Sequence, residues 1–257
     1  MNTLAKVINF KGIGLHTGKY VHGRIYPDEQ NPIHFIRTDK NDMPIVAETG
    51  RVWQSHLCTQ IGTSKDNSIS TIEHLMAALH LYEIDHAKIE IDNSELPFLD
   101  GSAIIWAREL VSKPSANTVA RKQSRYMKLV QKKDSFVMLW GHPEIHIHSS
   151  IQFDEWYECY HYEGEMNQIL GARSFVLEKS IGGLKQRNLI QGGSLTNALV
   201  KTVAGWKNGP LRWENEAARH KVLDLIGDLS LAKVSNQHMI ISYKSGHMLN
   251  IQMGRMI

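Results

Sequence analysis

The chain is expected to fold as an α+β protein, and three observations lead there. A polar stretch over residues 112–124 interrupts an otherwise regular run of apolar segments and divides the 257 residues into two parts of similar length. Within each part, short strand patterns and helical patterns are segregated, not interleaved as in a doubly wound parallel sheet. No self-similarity at a period of roughly 20–50 residues is legible, which sets solenoids and propellers aside. The expected units are residues 1–113, a linker over 114–124, and residues 125–257.

In chain order, period-two alternation predicts strands over 6–10, 21–26 and 33–37. A helix is expected over 70–81, then a strand over 87–91 and a second helix after Asp100-Gly101. Ser70-Thr-Ile-Glu73 matches a capping box, in which Glu73 only reaches back to the Ser70 N–H; the competing reading makes Glu73 a base beside His74. Beyond the polar stretch, strands are expected over 125–130, 135–139 and 145–153, and apolar periodicity returns over 166–170 and 177–184. The longest helix is expected over 213–233, because Ala218, Val222, Leu225, Ile226, Leu229 and Ala232 recur at helical spacing. His220, Asp224 and Asp228 then share a more polar flank. An apolar strand over 238–243 leads to His247, which is expected to project from a turn at Gly246.

Composition narrows the function classes. Hydrophobic residues make up 42% and charged residues 21%, ordinary for a soluble globular chain. There is no run of about 18 apolar residues, and the N-terminus lacks a basic region followed by an apolar stretch and a cleavage site. The expectation is a cytoplasmic, monomeric protein with no membrane insertion. Cys58 and Cys159 are too few for a disulfide framework. The formal charge is only +3, with basic residues dispersed apart from Lys128, Lys132 and Lys133, so nucleic acid is set aside and a phosphorylated ligand is kept.

The chemistry concentrates in Arg219-His-Lys-Val-Leu-Asp224. A helix puts His220 and Asp224 one turn apart on one face, a two-point clamp for a divalent cation. The bland alternative is an ion pair worth a few tenths of a kcal/mol. His74 offers a third ligand, and two imidazoles with one carboxylate make a site that leaves a position open for water, which suggests metal-assisted hydrolysis. The His-Glu-x-x-His pattern of metallopeptidases is absent. Most of the 14 histidines must be unrelated to catalysis, and His146 with His148, alternating on one strand face, reads as a structural or exposed pair. Gly12-Ile-Gly-Leu-His-Thr-Gly-Lys19 lacks both the P-loop and the dinucleotide patterns. It reads as a turn between strands, with His16 and Lys19 as anion contacts.

Taken together, ordered motifs across nearly the whole chain resemble the zinc-dependent UDP-3-O-acyl-N-acetylglucosamine deacetylases of lipid A biosynthesis. The motifs are Gly12 to Gly18, Ser70-Thr-Ile-Glu-His-Leu75, Leu96-Pro-Phe-Leu-Asp-Gly-Ser-Ala103, Ala172-Arg-Ser-Phe175, Gly192-Gly-Ser194, Arg219 to Asp228 and Ser245-Gly-His247. The resemblance implies two related α+β domains, each a sheet packed on helices, with the active site at their junction. It implies one zinc ion, with iron as a competitor, on His74, His220 and Asp224. Glu73 becomes the general base, His247 the general acid, Asp228 its charge partner and Ser174 an oxyanion donor. Lys221, His16, Phe175 and Leu177 become contacts to a UDP-linked acylated amino sugar.

This sequence departs from the family pattern in two ways. Residues 125–171 look shorter than their counterpart, in a half that carries an insertion enclosing the acyl chain. Ser174, Val176 and Ser180 stand where the family usually has Thr, Gly and an acidic residue. The competing functions are a paralogous zinc amidohydrolase acting on a different N-acylated amino sugar or nucleotide, a non-catalytic sugar-nucleotide binder, and a structural domain with coincidental motifs.

Overall fold

In the computed structural model, which describes residues 2–40, 43–114 and 121–257, helices line the inner face of two sheets. The first half contributes β1 (Asn2–Leu4), β2 (Ile8–Ile13), β3 (Tyr20–Pro27), β4 (His34–Arg37), β5 (Ile45–Val46), β6 (Val52–Gln54), β7 (Gln60–Gly62), β8 (Ser68–Ile69), helix α1 (Glu73–Leu81), β9 (Ile84–Ile91), α2 (Ile104–Glu109) and β10 (Ser112–Pro114). The second contributes β11 (Lys128–Lys132), β12 (Ser135–Gly141), β13 (His146–Phe153), β14 (Trp156–Tyr162), β15 (Phe175–Leu177), α3 (Glu178–Gln186), β16 (Leu199–Thr202), β17 (Gly205–Trp206), α4 (Glu216–Ser230), β18 (His238–Tyr243) and α5 (His247–Met256). The fold class is α+β, as expected.

The first sheet is organised around β9, whose Ile84, Ala87, Ile89 and Ile91 are buried. It pairs antiparallel with β3 and parallel with β1 and β4. Strand β10, at the start of the polar stretch, pairs with β1 and extends this sheet. Residues 115–120, the middle of the expected linker, lie outside the described residues; Lys122 bridges to Val234 in the second half. The second sheet runs β11-β12-β18-β13-β14, with β18 antiparallel to β12 and parallel to β13. Its buried Val137, Leu139, Ile147 and Ile240 join the core on the side of α4 and α5.

The halves meet helix to helix. Leu75, Met76 and Leu79 of α1 and Leu223 and Ile226 of α4 belong to one hydrophobic core. The approach depends on Gly227, where an added Cβ would lie 2.1 Å from the Glu73 carbonyl oxygen. No larger residue lets the backbones come this close.

Several elements differ from expectation for identifiable reasons. Helix α1 begins at Glu73, not residue 70, because Thr71 holds a left-handed φ of 60° and the Ser70 N–H bonds to Ser94. The capping-box reading therefore fails, and the Glu73 carboxylate is free for other partners. Helix α4 is trimmed to Glu216–Ser230. His247 does not project from a glycine turn: Gly246 is extended at φ −147°, and His247 is the first residue of α5. Helix α5, β14 and the strands of the β15–β17 layer have no counterpart among the expected elements, whereas α3 falls on the apolar periodicity expected over 177–184. In that layer α3 connects the parallel strands β15 and β16, and β17 pairs antiparallel to β16.

Candidate metal centre and active-site cavity

The packing of α1 on α4 brings His74 and Glu73, at the N-terminus of one helix, beside His220, Asp224 and Asp228 on the other. Asp224 Oδ1 lies 3.3 Å from His220 Nε2 and 3.6 Å from His74 Nε2. Ligand atoms on a tetrahedral ion with bonds of about 2.0–2.1 Å stand about 3.3 Å apart, so these spacings fit one ion between them. His220 Nδ1 donates to the Ala172 carbonyl at 3.0 Å, which leaves Nε2 without a proton and facing the site. Asp224 Oδ1 is buried with no hydrogen-bond partner, an acceptor that costs free energy unless a cation meets it. Burial pushes the His220 pKa down to about 4, keeping the ring neutral, as a ligand must be. Burial also opposes ionisation of Asp224, but its neighbours His220 and Lys221 outweigh it and hold the carboxyl well below its usual range. The donor set therefore fits a divalent ion.

Two further groups flank the triad. Glu73 accepts the Thr59 N–H at 3.0 Å, and burial raises its pKa. His247 Nδ1 donates to Asp228 Oδ2 at 2.8 Å. Burial alone would lower the His247 pKa, but the attraction and hydrogen bond of Asp228 outweigh it and bring the value up to about 9. Asp228 is itself fixed by Thr59 Oγ1 at 2.5 Å and by Asn250 Nδ2 at 2.8 Å. Glu73 is thus set as an acceptor and His247 as a donor on facing sides of one space.

That space is a cavity of about 410 Å³. Its polar end holds Glu73, Ser174, Lys221, Asp224, His247 and His16, whose two ring nitrogens are buried without partners. The other end is apolar, lined by Ile181, Leu184, Leu195 and Val200 of the β15–β17 layer. Ser174 Oγ lies 2.9 Å from His220 Nε2, and its N–H is held by the Gly101 carbonyl at 2.7 Å. Lys221 Nζ bonds Asp224 Oδ2 at 2.8 Å. Of the expected site residues, Glu73, His74, His220, Lys221, Asp224, Asp228, His247, Ser174, His16 and Phe175 are brought together. Leu177 is not: it lines a neighbouring groove with Phe153, Trp156 and Lys201. Cys58 is buried and its thiol is pushed up by burial, so it stays protonated.

Sequence reasoning missed Thr59, Asn250 and Glu95. Glu95, also buried, accepts the N–H groups of His16 and Thr17 at 2.8 Å each and the Thr71 hydroxyl at 3.0 Å, tying the glycine-rich turn to the segment before α1. Gly14 lets it in, since a Cβ there would stand 2.5 Å from Glu95 Oε2. Asn250 stands three residues after His247 and was within reach once α5 was read as a helix. Thr59 carries no signal in the sequence.

An α+β frame that buries two imidazoles and a carboxylate around one point, beside a carboxylate acceptor and a charged imidazole, belongs to the class of metalloenzymes. The particular family follows from comparison with known proteins. The family model for UDP-3-O-acyl N-acetylglycosamine deacetylase matches residues 1–257, and the chain belongs to that family. Proteins named UDP-3-O-acyl-N-acetylglucosamine deacetylase are similar over most of their length: 38% identical in Trichormus variabilis, over 100% of this chain and 97% of that protein; 35% in Cyanidium caldarium, over 98% and 95%; and 32% in Leptospira biflexa, over 99% and 88%. The first alignment spans 273 positions against 257 residues here, so that relative carries residues this chain lacks.

Proposed function

We propose that the protein removes the N-acetyl group from a UDP-3-O-acyl-N-acetylglucosamine, a step of lipid A biosynthesis, using one zinc ion on His74, His220 and Asp224. It would act as a cytoplasmic monomer; among the described residues no helix is long and apolar enough to cross a membrane. The observation that carries the reading is a single cavity lined by Glu73, His247 and Asp224, the last grouped with His74 and His220 as a set able to hold a metal, and lined as well by apolar side chains of the β15–β17 layer. An amide beside an acyl chain is the substrate this division fits.

When bound, zinc supplies a Lewis acid that polarises the amide carbonyl and makes water acidic near neutral pH. Glu73, buried beside the triad, takes the proton from water as it attacks the acetamide carbon. Its raised pKa brings it nearer to the working range of a general base. The Ser174 hydroxyl donates to the oxygen on which negative charge develops. An amide nitrogen leaves only once protonated, and His247, held charged by Asp228, delivers that proton. Acetate and a free 2-amino sugar result. His16 and Lys221, which line the same cavity, would meet the polar part of the substrate, with Phe175 beside Lys221.

The test is acetate release from the acylated UDP-sugar together with zinc content. Glu73→Gln and His247→Ala should each lower turnover by about 10²–10⁴-fold while keeping zinc. His220→Ala should lose metal and activity together. Near-native turnover in either of the first two would refute the assignment, and activity on only the unacylated sugar would instead favour a paralogous amidohydrolase.

A further inference from the structure

A second cluster of metal-ligating side chains lies apart from the cavity, on the outer face of the second sheet, and the strand register creates it. Strands β13 and β14 pair antiparallel with His148 opposite His161 and Ile147 opposite Tyr162. His146 and His148 therefore share a face with His161 and, two residues further along, Glu163. On the alternate face Ile147 and Tyr162 are buried in the core. His146 Nδ1 lies 3.3 Å from His161 Nε2, and Glu163 Oε1 lies 3.9 Å from the Nδ1 atoms of both rings. His148 stacks on His161 with centroids 3.8 Å apart.

The bland reading is a surface ion-pair cluster. Its geometry is poor for one, because both carboxylate contacts lie beyond hydrogen-bond range and the contact within range joins one imidazole to another. The same cluster suits a shared cation. With one ligand atom taken from each residue, the three atoms of His146, His161 and Glu163 lie within 4.8 Å of one another; a tetrahedral ion with bonds of about 2.0–2.1 Å separates its ligand atoms by about 3.3 Å, so side-chain rotations that turn one His161 nitrogen toward both partners complete the set. Two nitrogen donors and one carboxylate favour zinc, nickel or copper over magnesium or calcium.

We propose that His146, His161 and Glu163 form a second, surface site for a divalent transition-metal ion, with solvent completing its shell. The ion bridges β13 to β14, the edge strand of the sheet, and stabilises that hairpin by binding only the folded register. This site is independent of the deacetylase reading, since it shares no residue with the cavity.

The experiment is a zinc chloride titration of the full chain after chelation and dialysis, followed by calorimetry and elemental analysis. The wild type should take up a second zinc equivalent beyond the one in the cavity. The His146→Ala/His161→Ala variant should lose that equivalent while its zinc-loaded deacetylase turnover stays at the wild-type level. His74→Ala/Asp224→Ala should keep it, and zinc should still raise the Tm of that variant. Glu163→Gln, which leaves both imidazoles in place, should weaken the second equivalent alone. A single equivalent in the wild type, or equal uptake by wild type and the His146→Ala/His161→Ala variant, would overturn the proposal.

Discussion

His247 and Asp228 show how one residue's chemistry depends on its neighbours. The ordinary histidine pKa of 6.5 would leave the ring mostly neutral at pH 7; burial lowers it further, and Asp228, with Asp224 and Glu73 beyond it, reverses the sign and brings it to about 9. The acid is the protonated form, so kcat/KM should fall as pH rises through about 9. In Asp228→Asn the largest raising influence is gone, and the alkaline limb should move to lower pH; an unmoved limb would assign it to another group. The same shift links to stability. Because the folded value exceeds the unfolded one, the contribution is complete below about 6.5 and is lost as pH rises through about 9. Ser174 is the other informative residue. Ser174→Ala should lower kcat by up to about 10²–10³-fold with KM little changed, as expected for a donor used in the transition state.

At the scale of elements, the α1–α4 contact is the one on which the site depends. Alanine is a better helix former than glycine by roughly 1 kcal/mol, so Gly227→Ala would stabilise an isolated helix. Here the new methyl would meet the Glu73 carbonyl at 2.1 Å. Overpacking of this kind costs about 1–3 kcal/mol or more and outweighs the propensity gain. Denaturant unfolding should show a net loss of stability, and the displaced Glu73 should lower turnover in parallel. Helix α1, the strand over 87–91 and helix α4 were legible because their apolar residues repeat at helical or strand period. Helix α5 was not, since His247 and Asn250 interrupt its apolar face; both are buried and bond Asp228. Strand β14 (Trp-Tyr-Glu-Cys-Tyr-His-Tyr) carries aromatic and polar residues on both of its faces, so the period-two contrast is weak.

For the molecule as a whole, the cavity is made by both halves. Gly101 sits at φ 79° with the Asn197 carbonyl 1.9 Å from where a Cβ would be, and a Cβ on Gly192 would stand 2.3 Å from the Gly14 carbonyl. Motifs far apart in sequence interlock at these glycines. The β15–β17 layer then covers the polar end and extends it as the apolar arm. Leu184→Trp should shorten that arm, raising KM for long-acyl substrates while sparing a short-acyl analogue; equal effects on both would place the acyl chain elsewhere.

The sequence by itself determined the α+β class, the candidacy of His74, His220 and Asp224 as a metal-binding set, and that of Glu73 and His247 beside it. Helical spacing and ordered motifs are local properties, and they survive without coordinates. Only the tertiary structure decided that Glu73 is not a cap, that Asp228 is fixed by Thr59 and Asn250, that Leu177 faces another groove, and that His146 and His161 converge across two strands. Each of these depends on which residues distant in sequence come within a few ångströms, and that proximity is created by strand register and helix packing.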